Sequence, residues 1–113
     1  MREGGRAIFP VMTSLLDPDA RGRVILVGAG PGDPGLLTVR AVEAMKAADV
    51  VVHDGLIDPR VLEIAPASAH RISVAKRRAR HTLPQEAINA LIVAHVQAGS
   101  VVVRLKGGDP FIF

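Results

Sequence analysis

Four short segments concentrate the residues that can do chemistry, and each follows a run rich in Val, Ile or Leu. The first, VGAGPGDPG at 27–35, connects a strand-like run to a helix-like one. A dinucleotide fingerprint counted from Gly28 and Gly30 reaches Asp33 where the third glycine belongs, and no Gly-Lys-Ser/Thr follows for a phosphate loop. What remains is a backbone surface stiffened by Pro31 and Pro34, with a carboxylate at Asp33. That suits an adenosine-like or amino-acid-bearing ligand better than pyrophosphate; its plainer reading is a tight strand-to-helix turn. The second segment puts Asp54 at the end of a valine run. Burial there raises proton affinity and makes Asp54 a candidate general base, although on spacing alone a turn cap is the commoner role.

The third segment, KRRARH at 76–81, carries five basic side chains and no aromatic one. Such a run is usually solvated surface and otherwise attracts phosphates or carboxylates. Lys76 stands apart because it lies where strand gives way to loop, and partial burial there lowers a lysine's proton affinity enough to deliver a proton near neutral pH. His81 is a second titrating candidate or plain surface. The fourth segment is RLKGGDPFIF at 104–113. Gly107 and Gly108 let the backbone approach a ligand, Asp109 can accept hydrogen bonds from hydroxyls or an ammonium, and Pro110 fixes the exit. Two Gly-Asp-Pro loops, at 32–34 and 108–110, are hard to explain as turns alone.

The elements that must position these loops alternate along the chain. Residues 24–28, 49–53, 71–75 and 100–106 read as strands. Between the first two, Leu36, Leu37, Val39, Ala41, Val42, Ala44, Met45 and Ala48 predict an apolar helix, with Arg40, Glu43 and Lys46 on its wet side. A shorter helix over 59–65 starts with Asp58 as cap and Pro59 at the first position. A third opens at Pro84 and runs to about Ala98, with Ala87, Ile88, Leu91, Ile92 and Val96 on one face and Gly99 ending it. The expected fold class is α/β: an open, mostly parallel sheet with helices on both faces and right-handed connections. Ligands of such sheets bind at the carboxyl ends of the strands, where all four segments gather if the strands run parallel.

Composition narrows the function classes. The 113 residues have room for about one domain, and 49% hydrophobic against 22% charged residues argues against a disordered chain. No cysteine is present, which removes disulfides, thiolate metal sites and cysteine nucleophiles and suits a reducing compartment, so no metal site is expected and the cytoplasm is the expected location. Phe9, Phe111 and Phe113 are the only aromatics, too few for base-stacking platforms, so no nucleic-acid partner is expected. A net charge of +3 names no partner. No apolar run approaches the ~20 residues of a membrane span. The stretch 7–16 after Arg2 and Arg6 is too interrupted by Pro10, Thr13 and Ser14 to read as a signal peptide. Residues 1–23, with Gly4-Gly5 and Asp17-Pro18-Asp19, read as a leader or linker before a domain starting near Val24.

VGAGPGDPGLLT at 27–38, ADVVVHDGLI at 48–57, LPQEAINALIV at 83–93 and VVRLKGGDPFIF at 102–113 together resemble the tetrapyrrole methylase family, most of all its branch that methylates uroporphyrinogen III. The resemblance runs in register from about Arg23 to Phe113. It implies an S-adenosyl-L-methionine-dependent C-methyltransferase that methylates two pyrrole carbons of uroporphyrinogen III, giving precorrin-2 for sirohaem and cobalamin. It implies two α/β lobes with the methyl donor in the cleft between them, usually as a homodimer. Carried over residue by residue, Pro31, Gly107, Gly108, Asp109 and Ile112 contact the donor, Asp54 is the proton acceptor and Lys76 the proton donor. The basic run at 76–81 becomes a landing site for the eight carboxylates of the substrate.

Three positions depart from the family pattern: Ala75 and Ala79 stand where glycines are usual, and Gly55 where an Arg commonly follows the aspartate. The chain stops inside the fourth loop, so it reads as the first lobe of the two-lobe fold, an amino-terminal fragment expected to be inactive alone. The competing readings are a methylase of the same fold acting on another tetrapyrrole, a non-catalytic ligand-binding α/β domain and, disfavoured by the glycine spacing, a nicotinamide-dependent dehydrogenase.

Overall fold

Valine runs need partners on both sides when both faces of a strand are buried, and the chain meets that need with a four-stranded parallel sheet. In the computed structural model, which describes residues 22–75 and 83–107, the strands are β1 (Arg23–Gly28), β2 (Val50–His53), β3 (His70–Ser73) and β4 (Val101–Lys106). Their order across the sheet is β1-β4-β2-β3, and every neighbouring pair is parallel. Each strand begins or ends within two residues of the bounds expected from sequence.

Three helices cover the layer: α1 (Val39–Lys46), α2 (Pro59–Leu62) and α3 (Gln85–Gln97). Ala41, Ala44 and Met45 of α1 and Val61 of α2 pack with Ile25, Val27, Val51, Val103 and Leu105. Ile88, Ile92 and Val96 of α3 pack on the other face with Val24, Val50, Val52 and Val102. The side-chain alternation of β1, β2 and β4 divides each between the two cores, while edge strand β3 contributes only the partly buried Ile72. The chain moves one way from β1 to β2 to β3 and back from β3 to β4, so right-handed crossovers put α3 opposite α1 and α2.

The helix ends depart from expectation in instructive ways. Residues 34–36 form a separate 3-10 turn rather than the start of α1, because Asp33 and Pro34 open it and Leu37, extended at ψ 147°, breaks it. Thr38 then caps α1, its Oγ1 accepting from the Ala41 N–H at 3.0 Å. Leu36 and Val39, expected on the apolar face, are therefore exposed. Asp58 caps α2 as expected, accepting from the Arg60 N–H at 2.8 Å, but α2 ends at Leu62. Ala87 lies on the exposed side of α3. That helix closes through Gly99 at φ +94°, with the Gly99 N–H donating to Val96 O and the Ser100 N–H to His95 O, a complete Schellman motif. No helix of the described residues is long and apolar enough to cross a membrane.

Candidate functional site

Because all strands are parallel, the segments with chemical potential leave one edge of the layer. Gly28 at the end of β1 sits opposite Lys106 at the end of β4, and the Ala29 N–H donates to the Lys106 carbonyl at 2.8 Å. The first and fourth loops thus start side by side. In the first, Pro31 is exposed, and Gly30 and Gly32 have φ of +62° and +106°, a region that side-chain-bearing residues enter only with strain. A Cβ at either glycine would meet nothing within 4 Å, so the requirement is conformational and the backbone surface there is open. Asp33 holds its own loop, its Oδ1 accepting from the Gly35 N–H at 2.9 Å, which is the turn role the sequence also allowed.

Asp54 follows β2 directly, and both of its carboxylate oxygens are engaged. Oδ1 accepts from Arg104 Nη2 at 2.9 Å, and Oδ2 accepts from the Gly107 N–H at 2.9 Å. Two expected site residues, Asp54 and Gly107, are therefore joined directly. The expectation that burial raises the proton affinity of Asp54 is reversed. Burial does push its pKa upward, but the Gly107 N–H, the Arg104 guanidinium and the charge of Lys106 outweigh it and hold the carboxyl below the usual 3.8. The side chain is half-buried, so part of the carboxylate still faces outward. Beside it, His53 Nδ1 lies 2.7 Å from the Asp54 carbonyl, which can only accept, so Nδ1 carries the hydrogen.

Arg104 is the residue of this edge that sequence reasoning passed over. It is 7% exposed, the one charged residue buried among those described. Its Nη1 donates to the carbonyls of Val52 at 3.2 Å and Leu105 at 3.1 Å, and Nη2 reaches Asp54. The signal was an arginine inside an otherwise apolar strand, which demands a partner, with the nearest carboxylate ending a neighbouring strand.

Gly55 and Ala75 also meet at this edge. A Cβ on residue 55 would lie 2.7 Å from the Ala75 methyl, so a side chain at one position excludes one at the other without adjustment. In this chain the methyl sits on residue 75 and the bare backbone on residue 55. The chain turns from β2 toward the α2 face and from β3 toward the α3 face, and an open α/β sheet has its crevice where neighbouring connections part in this way. Lys76, Gly108, Asp109, Ile112 and the basic run at 76–81 lie outside the described residues. Among the described residues, no group of three or more His, Asp or Glu stands where it could hold a metal ion.

The family model for tetrapyrrole (corrin/porphyrin) methylases matches residues 23–113. Siroheme synthase of Hahella chejuensis is 52% identical over 111 residues, covering 96% of this chain and 24% of that protein. Siroheme synthase of Azotobacter vinelandii is 58% identical over 96 residues, covering 85% and 21%. The chain thus spans less than a quarter of the length of these curated relatives. Among solved structures, uroporphyrin-III-C-methyltransferase from Thermus thermophilus superposes with a TM-score of 0.70 at 45% identity, covering 82% of this chain and 38% of that one. A uroporphyrin-III C-methyl transferase from the same organism, complexed with S-adenyl homocysteine, gives 0.65 at 48% identity over 81% of this chain and 35% of that one. With a match along 23–113 and relatives more than half identical, the parallel layer and its glycine-lined edge are those of a tetrapyrrole methylase, the family to which this chain belongs.

Proposed function

We propose that residues 24–113 form the first lobe of an S-adenosyl-L-methionine-dependent C-methyltransferase acting on uroporphyrinogen III to give precorrin-2, with residues 1–23 a leader and a second lobe completing both sites. One observation carries this reading: the carboxylate of Asp54 is bonded to Gly107, the first glycine of a loop that starts beside the open backbone around Pro31. The neighbour complexed with S-adenyl homocysteine supports the same ligand class. The residues present fit such a donor: open, positive-φ glycine backbone without a phosphate-binding lysine suits a nucleoside bearing an amino acid.

In this reading Pro31, Gly107, Gly108, Asp109 and Ile112 hold the donor, which supplies an activated methyl group. Rigid glycine loops align it and keep water away, which is most of what methyl transfer asks of a protein. Asp54, anionic at neutral pH, takes the proton that the cationic ring system must lose once a pyrrole carbon has accepted the methyl group, and Lys76 returns one. The whole protein works as a homodimer.

Titrating S-adenosylhomocysteine into the 113-residue chain tests the first lobe as a half-site. Saturable binding without methyl transfer is expected, weakened about tenfold by Gly32→Val, because a β-branched residue cannot hold φ +106° cheaply. Absence of binding at millimolar ligand would overturn the proposal. In a full-length protein carrying this segment, Asp54→Asn is expected to abolish transfer of a labelled methyl group to uroporphyrinogen III while leaving donor binding within a few-fold.

A further inference from the structure

A buried guanidinium needs its donors filled, and the partners of Arg104 fall on three pieces of one edge. It bonds the carbonyl of Val52 near the end of β2, the carbonyl of Leu105 near the end of β4, and the Asp54 carboxylate between them. Asp54 passes the connection on to the Gly107 N–H, where the glycine loop begins. No buried side-chain nitrogen or oxygen among the described residues lacks a partner, so this network is complete within the protein. A carboxylate has about four acceptor sites, and Arg104 and Gly107 occupy two of those on Asp54, leaving others for a proton.

We propose that Arg104 is a positioning residue that, through Asp54, joins proton uptake at the end of β2 to the hold on the Gly107 backbone after β4. When a proton moves from substrate onto Asp54, the carboxylate becomes a neutral acid. Its ion pair with Arg104 then loses its Coulombic part and its bond from Gly107 loses its charge assistance. The Gly107 N–H is held tightly while Asp54 is anionic and less tightly once it has accepted a proton. The catalytic meaning rests on the proposed proton-acceptor role of Asp54; the Arg104–Asp54–Gly107 coupling does not.

Among the described residues, the charged or titratable groups around Asp54 are Arg104 and Lys106 on β4 and His53 on its own strand. Carbon-detected titration of the Asp54 carboxyl in the 113-residue chain, with the Gly107 amide followed in parallel, separates their contributions. The expected result is one shared midpoint for both signals, below the ordinary aspartate range. In Arg104→Lys that midpoint moves upward and the Gly107 amide exchanges with solvent about tenfold faster. Should Arg104→Lys fail to fold, Asp54→Asn keeps the shape without the charge and is expected to speed Gly107 exchange to the same extent. An unchanged Asp54 midpoint in folded Arg104→Lys, or a Gly107 amide indifferent to Asp54→Asn, overturns the proposal. Adding S-adenosylhomocysteine is the separate arm: coupling that persists while the ligand leaves the Gly107 amide unmoved sinks the methyltransferase reading and leaves the coupling standing.

Discussion

Gly22 marks how closely the residue before β1 approaches the helix above it. A Cβ built there would lie 1.8 Å from the Val96 carbonyl oxygen on α3, and because that contact is with backbone, a methyl cannot be accommodated by rotating a side chain. Gly22→Ala is expected to destabilise the chain by about 2 kcal/mol, the scale of overpacking a tight core, read from the urea midpoint at constant m-value. The site divides similarly between visible and hidden causes. Asp54 was legible as a chemical residue because it ends a valine run, and its pairing with the fourth loop followed from parallel strands. The sign of its pKa shift was not, since desolvation is guessed from burial alone while the opposing Arg104 and Gly107 donors come from fifty or more positions away. The turn role of Asp33 was legible because its partner, the Gly35 N–H, lies only two residues away.

At the scale of elements, α2 has four residues, too few to hold itself. Its carbonyl end is gathered by Arg71 of β3, which donates to Leu62 O from Nε at 3.1 Å and Nη2 at 2.9 Å, to Ala65 O at 2.9 Å, and to Ala69 O at 3.0 Å. A guanidinium fork can serve several carbonyls at once, whereas an ammonium is a single point. Arg71→Met is expected to cost about 1 kcal/mol, at the low end for charged hydrogen bonds because these are largely exposed, with amide exchange rising first over residues 62–70. Arg71→Lys should recover only part of it. Strand and helix positions were readable from periodicity and caps because Asp58, Pro59 and Gly99 act within a few residues of themselves. Where α1 begins was not, since Leu36 and Val39 continue the apolar pattern across a break set by backbone angles.

For the whole molecule, acid is the expected weakness. Asp54 is held low against the upward push of burial by Gly107 and Arg104, and Asp58 by the side chain and N–H of Arg60. A carboxyl with a depressed folded pKa contributes stability that is present above its unfolded value near 3.8 and lost as pH falls through the folded one. The urea midpoint is therefore expected to be level from neutral pH to about pH 5 and to fall below about pH 4. Salt should erode the Asp58 contribution, whose Arg60 partner is exposed, more than that of Asp54, whose Arg104 partner is buried, and Asp54→Asn should flatten the acid limb.

The order β1-β4-β2-β3 also has a temporal meaning. β1 and β2 never touch: the strand between them is the last of the four to be synthesised, with Arg23 paired to Val101 and Val50 to Val102. An emerging polypeptide can dock β2 on β3 early, but β1 must wait, its amides open to water or to a stray neighbour, until the ribosome has released the strand that closes the gap. Assembly of this layer is therefore a single late event rather than a steady accretion, and the edge proposed to carry the chemistry comes into being in the same moment.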